Sequence, residues 1–218
     1  MDNLKIFNVK WTSTSAGPSP DSNRRTELFL AGCKKAAGGN PCKGCFNQEL
    51  WSADVYNGYD SPRECFNRIR KFAPNKYITI VGGEPLDQLE PLAELCRYLH
   101  KDGYHIIVIT HYLGDFLLAT MNIAGNKNMK KLLNNIDCIV DGEYMEKYRI
   151  WDEERAGDGL HDVIGSGNQC IWDFHDYNAG KEMFCIHADK LEGWYLRPDN
   201  EFVYILKEGV EKDGKKTA

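Results

Sequence analysis

Three cysteines, Cys33, Cys42 and Cys45, lie close together in a glycine-rich segment of the 218-residue chain, here called the cysteine loop (residues 32–47). Thiolates bind both zinc and iron–sulfur clusters, so their number and spacing must distinguish the two. A structural zinc site needs four ligands, usually in two close pairs, and only Cys42 and Cys45 have that spacing. A cubane cluster on three cysteines leaves one iron open for a substrate. The spacing therefore favours an iron–sulfur cluster, with zinc and a distant fourth ligand as the alternative.

A second loop, Gly82-Gly83-Glu84-Pro85, here called the GGEP loop, follows a predicted buried strand and precedes a predicted helix. In parallel α/β folds, ligands bind at the carboxyl ends of the strands. The two glycines allow a ligand to approach the main chain, and Glu84 could pair with an ammonium group. Alone, this string also fits an ordinary strand-to-helix turn. Together with the cysteine loop upstream, it favours a site for a cluster and an organic cofactor.

These two loops resemble the motifs of the radical S-adenosylmethionine (SAM) superfamily: the cysteine loop is similar to its cluster-binding motif, and the GGEP loop to its SAM-binding motif. The resemblance implies a [4Fe–4S] cluster on Cys33, Cys42 and Cys45, with SAM chelating the open iron. It also implies reductive cleavage of SAM to methionine and a 5′-deoxyadenosyl radical.

The same resemblance assigns SAM contacts to particular residues. Phe46 is expected against the adenine, and Gly83 and Glu84 at the methionine amino group. The full set of predicted SAM-binding residues is Gly44, Phe46, Asn47, Gly82, Gly83, Glu84 and Pro85. No residue is predicted as a general acid or base, because hydrogen abstraction by the radical needs none.

Further strings, spread over about residues 5–172, occur in an order typical of one branch of that superfamily. They are Gly17-Pro18, Arg24-Arg25, Leu28–Cys33, Cys45-Phe46-Asn47, Leu50-Trp51, Ile136-Asp137, Val140-Asp141-Gly142 and Gly165–Gln169. In these strings the chain resembles the activating-protein family of anaerobic (class III) ribonucleotide reductase. The resemblance implies that the reductase large subunit is a protein substrate, which receives a glycyl radical, and that a flavodoxin- or ferredoxin-type protein donates the electron.

The cysteine loop departs from that family in its length. Eight residues, Lys34–Pro41, separate the first two cysteines, where the family usually has three. Loop closure penalises such an insertion only mildly, so cluster binding is expected to survive. The chain also continues well past Gln169, and Ser19 replaces the second glycine of the family's Gly-Pro-Gly.

Apolar runs alternate with helical patterns through the first two thirds of the chain, which predicts βαβ units and a mostly parallel sheet. Strands are expected at 5–10, 26–31, 77–81, 105–110 and 137–141, with helices at 61–72, 88–101 and 128–135. With the resemblance, this gives an α/β fold, a partial (β/α) barrel of the radical SAM type. We expect a single domain over residues 1–206 (core about 5–172), ending in a C-terminal extension (173–206) with a β-hairpin. A charged, loose tail is expected at 207–218.

Composition limits the other classes. The net charge of −5 and the lack of a strongly basic stretch argue against nucleic-acid binding, and neither a signal peptide nor a membrane span is expected, so we predict a cytoplasmic protein. Of the other five cysteines, Cys65, Cys96 and Cys138 are expected in the core. Cys170 and Cys185 could form a metal or redox pair.

Two alternatives remain at this stage. One is a radical SAM enzyme that acts on a small molecule, similar to 7-carboxy-7-deazaguanine synthase. That family has an Asp-Thr type pair after its last cysteine, whereas this chain has Phe46-Asn47. The other is a non-catalytic iron–sulfur or zinc protein, in which the GGEP loop would have no role.

Overall fold

The computed structural model describes residues 2–14, 16–21, 24–121, 123, 126–150, 160, 163–174 and 184–210. Its main feature is an eight-stranded sheet in the order β3-β1-β2-β4-β5-β6-β7-β8. The strands are β1 (Leu4–Ser13), β2 (Arg25–Leu30), β3 (Gly58–Asp60), β4 (Tyr77–Gly82), β5 (His105–Ile109), β6 (Cys138–Asp141), β7 (Cys170–Asp173) and β8 (Phe184–His187).

The sheet is parallel only at its centre, where β2, β4, β5 and β6 pair in that order. The strands on both sides, β1 and β3 at one edge and β7 and β8 at the other, are antiparallel. Among the described residues β3 and β8 are the two edges, so the sheet does not close into a barrel. The predicted α/β class is confirmed as a mixed α/β fold, whereas the radical SAM barrel stays a prediction.

In the described part of the chain, five α-helices accompany the sheet: α1 (Lys34–Ala37), α2 (Pro62–Phe72), α3 (Leu89–Lys101), α4 (Gly114–Met121) and α5 (Lys127–Leu133). A capping box starts α2: the Ser61 side chain accepts from the Glu64 main chain, and the Glu64 side chain accepts from the Ser61 main chain. Gly103, at φ 79°, follows the end of α3. The short helices α1 and α4 were not predicted.

Apolar side chains pack on both faces of the sheet, since a strand alternates its side chains between them. On β5, Ile106 and Val108 join the cluster that includes α2, α3 and α5, while Ile107 joins the second cluster. That second cluster is completed by the predicted C-terminal hairpin, β9 (Leu191–Leu196) and β10 (Phe202–Leu206). The single-domain prediction is untested, and residues 211–218 of the predicted tail lie outside the described residues.

Candidate functional site

The carboxyl ends of β2, β4, β5 and β6 meet at one edge of the sheet and surround a cleft of about 230 Å³. Loops after these four strands line it, together with the segment that precedes β7. The residues that matter below are Cys42, Cys45, Phe46, Asn47, Gly82, Gly83, Glu84, Thr110, His111, Tyr144, Gly165 and Gln169. The two loops singled out from the sequence therefore face one cavity.

The cysteine loop leaves β2 and returns across the site. All three cysteines are half-buried, and Cys42 and Cys45 line the cleft, whereas Cys33 lines a neighbouring recess beside α1. The indole Nε1 of Trp51 lies 3.5 Å from the Cys45 sulfur. Burial, followed by the negative charges of Glu143 and Cys45, raises the pKa of the Cys42 thiol. Cys42 and Cys45 are thus close enough to interact at the cleft wall.

The glycines of the GGEP loop are required by the protein's own main chain. A Cβ on Gly82 would lie 2.1 Å from the Leu30 carbonyl oxygen, and one on Gly83 would lie 2.3 Å from that of Gly32. The Gly83 N–H donates to the Leu30 carbonyl (2.9 Å) and the Glu84 N–H to the Gly32 carbonyl (2.7 Å). These contacts fasten the GGEP loop to the start of the cysteine loop. Ligand access at the two glycines stays a prediction.

Glu84 is completely buried and its carboxylate is fully used within the protein. Oε1 accepts from the Leu86 main chain (2.8 Å) and the Thr110 hydroxyl (2.7 Å). Oε2 accepts from the His111 main chain (2.9 Å) and lies 2.6 Å from His111 Nδ1. These four contacts fill the four acceptor positions of a carboxylate. The predicted contact with an ammonium group is untested, and in this arrangement the carboxylate organises the loop.

His111, which no sequence motif singles out, lies in the cleft wall. Burial lowers its pKa, but hydrogen bonds to Cys33 and Glu84 outweigh that effect and bring the pKa to about 10. The ring can donate from both nitrogens only when it is protonated. The position of His111 in the cleft wall could not be predicted from the sequence, because it depends on β2, β4 and β5 ending side by side.

The opposite wall is aromatic. Phe46, half exposed, packs on Tyr144 with ring centroids 4.7 Å apart. A Cβ on Gly165 would lie 2.7 Å from the Tyr144 ring and 3.0 Å from that of Phe46, so only glycine fits there. Gly44 has φ 77°, and a Cβ there would lie 2.7 Å from Glu146 Oε2. The loop after β6 therefore closes against the cysteine loop.

The late Gly165–Gln169 segment supports this wall. Gln169 accepts through Oε1 from the main chains of Gly165 (2.9 Å) and Ser166 (3.1 Å) and donates through Nε2 to the Gly142 carbonyl (3.1 Å). Asp141, at the end of β6, accepts from the main chain of Cys170 (2.9 Å) and from Trp172 Nε1 (2.8 Å). Only the family resemblance singles out Asp141 and Gly165–Gln169 in the sequence. In the structure these residues hold the loops after β6 in place.

The eight-residue insertion in the cysteine loop has defined contacts. Its first part forms α1, and the Lys34 main chain donates to Asp87 Oδ2 (2.5 Å), just after the GGEP loop. The Lys35 ammonium lies 2.9 Å from Glu143 Oε1, beyond the end of β6. The insertion therefore spans the site from the β4 side to the β6 side.

The remaining cysteines are largely as predicted. Cys65, Cys96 and Cys138 are completely buried, and burial raises the pKa of Cys65 to about 12. Cys170 and Cys185 lie on adjacent strands, with the Cys170 sulfur 3.2 Å from His187 Nδ1. None of these five lines the cleft.

The three thiols of the cysteine loop suit a cubane better than a single ion. Over the described ranges, no three His, Cys, Asp or Glu side chains converge closely enough to hold one metal ion. A cubane carries its irons at separate corners, so its thiolates approach from different sides instead of converging. Cys42 and Cys45 flank a glycine turn at Gly44 in the cleft wall, and Cys33 lies in the neighbouring recess, so the three half-buried, soft donors are offered from separate positions.

Comparison with known proteins agrees with an iron–sulfur site. Residues 22–164 match a family described as "4Fe-4S single cluster domain". The anaerobic ribonucleoside-triphosphate reductase-activating protein of Haemophilus influenzae is 29% identical over 157 residues, which cover 69% of this chain and 88% of that protein. Within the ranges that the structure covers, no helix has both the length and the apolar character needed to cross a bilayer.

Proposed function

Because the chain belongs to the 4Fe-4S single cluster domain family, we propose that it is a radical SAM activase that generates a glycyl radical on an anaerobic ribonucleotide reductase. The observation that carries this proposal is the joining of the cysteine loop to the GGEP loop at one cleft. Asn47 Nδ2 donates to the Gly82 carbonyl (3.2 Å), and the main chains of Gly83 and Glu84 donate to the carbonyls of Leu30 and Gly32. The activating protein that the chain resembles supports the choice of target.

In the proposed site, Cys33, Cys42 and Cys45 hold a [4Fe–4S] cluster. When bound and reduced, the cluster supplies the electron that cleaves SAM to methionine and a 5′-deoxyadenosyl radical, which takes a hydrogen atom from a glycine of the reductase. Gly44 makes the turn that lets Cys42 and Cys45 face the same cavity.

The proposed SAM contacts divide between the two walls of the cleft. Phe46, backed by Tyr144, offers an aromatic face to the adenine. Gly83 offers its main chain to the methionine amino group. Glu84 and Pro85 shape that turn, since the carboxylate is held by Thr110 and His111 and Pro85 begins a short 3-10 helix (Pro85–Gln88).

A protein substrate must reach this cleft from outside. Phe46 is 50% exposed at the site, and Leu113, beside Gly142, is 61% exposed. Apolar side chains at the mouth suit a segment of a partner protein. We propose that this partner is the large subunit of the reductase, and that a flavodoxin- or ferredoxin-type protein provides the electron.

Anaerobic reconstitution tests the proposal in two stages. The first measures iron and sulfide content, the change in the electron paramagnetic resonance (EPR) spectrum on adding SAM, and reductive release of 5′-deoxyadenosine. The second adds a cognate anaerobic reductase and looks for the doublet of a glycyl radical. We expect four irons per chain, a SAM-dependent spectrum and a doublet.

Matched variants and negative outcomes complete the test. Alanine at Cys33, Cys42 or Cys45 should abolish the four-iron cluster, whereas Cys185→Ala, at another half-buried cysteine outside the cleft, should retain it. Bound zinc without a response to SAM would reject radical SAM chemistry. Deoxyadenosine without a doublet would retain that chemistry but reject the activase, in favour of a small-molecule substrate.

A further inference from the structure

Trp51 contacts two of the proposed cluster ligands that lie at opposite ends of the cysteine loop. Its indole Nε1 lies 3.5 Å from the Cys45 sulfur, close enough for a hydrogen bond to that atom. Its main-chain carbonyl oxygen accepts from the Cys33 N–H (3.0 Å). One residue therefore holds the first cysteine through its main chain and the third through its side chain.

The main chain that carries Trp51 is itself fixed in place. Trp51 directly follows a short 3-10 helix, Gln48–Leu50. The Leu50 side chain is completely buried, and the Leu50 carbonyl oxygen accepts from the Gly32 N–H (2.8 Å). Two successive main-chain bonds, to Gly32 and to Cys33, thus join this segment to the start of the cysteine loop. The indole ring projects from an anchored position.

Trp51 also relates the cleft to the neighbouring recess. Cys45 lines the cleft, whereas Trp51 and Cys33 line the recess beside α1. Eight residues separate Cys33 from Cys42, so their spacing in the sequence does not fix Cys33 relative to the other two cysteines. The two contacts of Trp51 supply a direct link between Cys33 and Cys45 that does not pass through this insertion.

We propose that Trp51 is a positioning residue for the cluster: its indole N–H donates a hydrogen bond to the Cys45 sulfur, orients that ligand and raises the reduction potential of the cluster. This inference rests on the proposed function, because it takes Cys45 as a cluster ligand. Hydrogen bonds to the sulfurs are one of the means by which proteins set iron–sulfur potentials, and residues behind the ligands orient them. An indole N–H can only donate, and a donated bond stabilises the extra negative charge of the reduced cluster.

A simpler role for Trp51 would be to fill space beside the cleft, and three substitutions separate the roles. Trp51→Phe keeps an aromatic ring but removes the N–H, and Trp51→Leu removes both. Trp51→Gln places an amide N–H the same number of bonds from Cα as the indole Nε1. All three keep the main-chain carbonyl that accepts from Cys33. Trp11→Phe is the matched control, because Trp11 is also half-buried and packs on Phe72, away from the cleft and the recess.

The measurement is the midpoint potential of the reconstituted full-length protein, from EPR-monitored redox titration without SAM. We expect Trp51→Phe to lower the ratio of reduced to oxidised cluster about tenfold at a fixed potential, which is a negative shift of about 59 mV for a one-electron couple. Trp51→Leu should shift equally, Trp51→Gln should recover part of the shift, and Trp11→Phe should match the wild type. An unchanged potential in Trp51→Phe overturns the inference, and a shift in Trp51→Leu alone would assign Trp51 to packing.

A second readout applies even where Trp51→Phe does not load iron. Reduced wild-type protein labelled with ¹⁵N-indole tryptophan should show a weak nitrogen coupling to the cluster in pulsed EPR. Trp51→Gln should lose this coupling and Trp11→Phe should keep it. No coupling in the wild type, or one that persists in Trp51→Gln, overturns the inference. A cluster that shows the coupling but does not respond to SAM would reject the proposed function and retain the role of Trp51, whereas a wild type that forms no cluster would reject both.

Discussion

The side-chain nitrogen Nδ2 of Asn47, in the cysteine loop, lies 3.2 Å from the carbonyl oxygen of Gly82, the first glycine of the GGEP loop. A second bond joins the same regions, since Gln88 Nε2 donates to the Ala31 carbonyl (3.0 Å). The two loops come from different strands, β2 and β4, that are paired in parallel. Their relative position is therefore set by the sheet and then fixed by side-chain bonds.

Replacing Asn47 by alanine should loosen the cysteine loop from the GGEP loop. The lost bond is half-buried, and its removal should lower the free energy of unfolding of the apo-protein by about 1 kcal/mol. We also expect the reconstituted protein to lose iron faster and to bind SAM more weakly. Urea unfolding measures the first effect, and iron retained after gel filtration measures the second.

Asn57 provides the matched control, because its Nδ2 also donates to a main-chain carbonyl, that of Phe7 (2.8 Å), but at an exposed place outside the cleft. Asn57→Ala should retain iron and SAM binding like the wild type. Equal iron loss from both variants would show that the Asn47 bond has no special role at the site.

The Lys35–Glu143 pair should hold the insertion across the site. The Lys35 side chain is only 14% exposed, so its loss removes packing as well as charge. We expect Lys35→Met to make α1 several-fold more susceptible to a protease that cleaves after Ala36 or Ala37. The double exchange Lys35→Glu with Glu143→Lys should restore part of the resistance.

The neighbouring lysine is the control for that experiment. Lys34 is 76% exposed and its ammonium lies 3.8 Å from Asp87, and such exposed pairs contribute little. The protease should therefore cleave Lys34→Met at nearly the rate at which it cleaves the wild type. Cleavage as fast as in Lys35→Met would mean that the contact with Glu143 does not anchor the insertion.

The elements predicted well from the sequence are those with local signals. The β-branched runs of β4 and β5 and the capping box of α2 carry their information within a few residues. The short strands β3, β7 and β8 were missed, because three or four residues become a strand only through the neighbour they pair with. The antiparallel edges of the sheet were missed for the same reason.

The candidate site shows the same division. Cys33, Cys42, Cys45 and the GGEP string are local patterns and could be picked out directly. His111 and Tyr144 could not, since each becomes part of the cleft only when loops after β5 and β6 meet the cysteine loop. The glycines were predicted for ligand access, whereas the structure gives them a nearer reason, the approach of the Leu30 and Gly32 carbonyls.

Adding one methyl group to Gly83 should disrupt the site. A Cβ there would lie 2.3 Å from the Gly32 carbonyl oxygen and 2.5 Å from that of Leu50, and neither main-chain atom can move freely. We expect Gly83→Ala to lower the free energy of unfolding by several kcal/mol, or to prevent the cluster from forming. Urea unfolding measures the first effect, and iron content measures the second. Gly58→Ala, whose nearest new contact is the end of the Arg68 side chain at 3.7 Å, should change little. Normal iron loading in Gly83→Ala would mean that the two loops are farther apart in solution.

Glu94 should make the stability of the apo-protein depend on pH in the acid range. Hydrogen bonds from Arg97, opposed by burial and reinforced by Lys131 of α5, lower its pKa from 4.5 to about 2. A carboxylate with a lowered folded-state pKa contributes stability that is complete above pH 4.5 and is lost as the pH falls through about 2. Glu94→Gln should therefore be less stable than the wild type at pH 7, by on the order of 1–2 kcal/mol, and the difference should shrink steadily towards pH 3. Urea unfolding at several pH values measures this difference. The control is Glu90→Gln, at an exposed position of α3, whose free energy of unfolding should change with pH as that of the wild type does. A Glu94→Gln difference that stays constant with pH would show that the carboxylate does not link α3 to α5 through its charge.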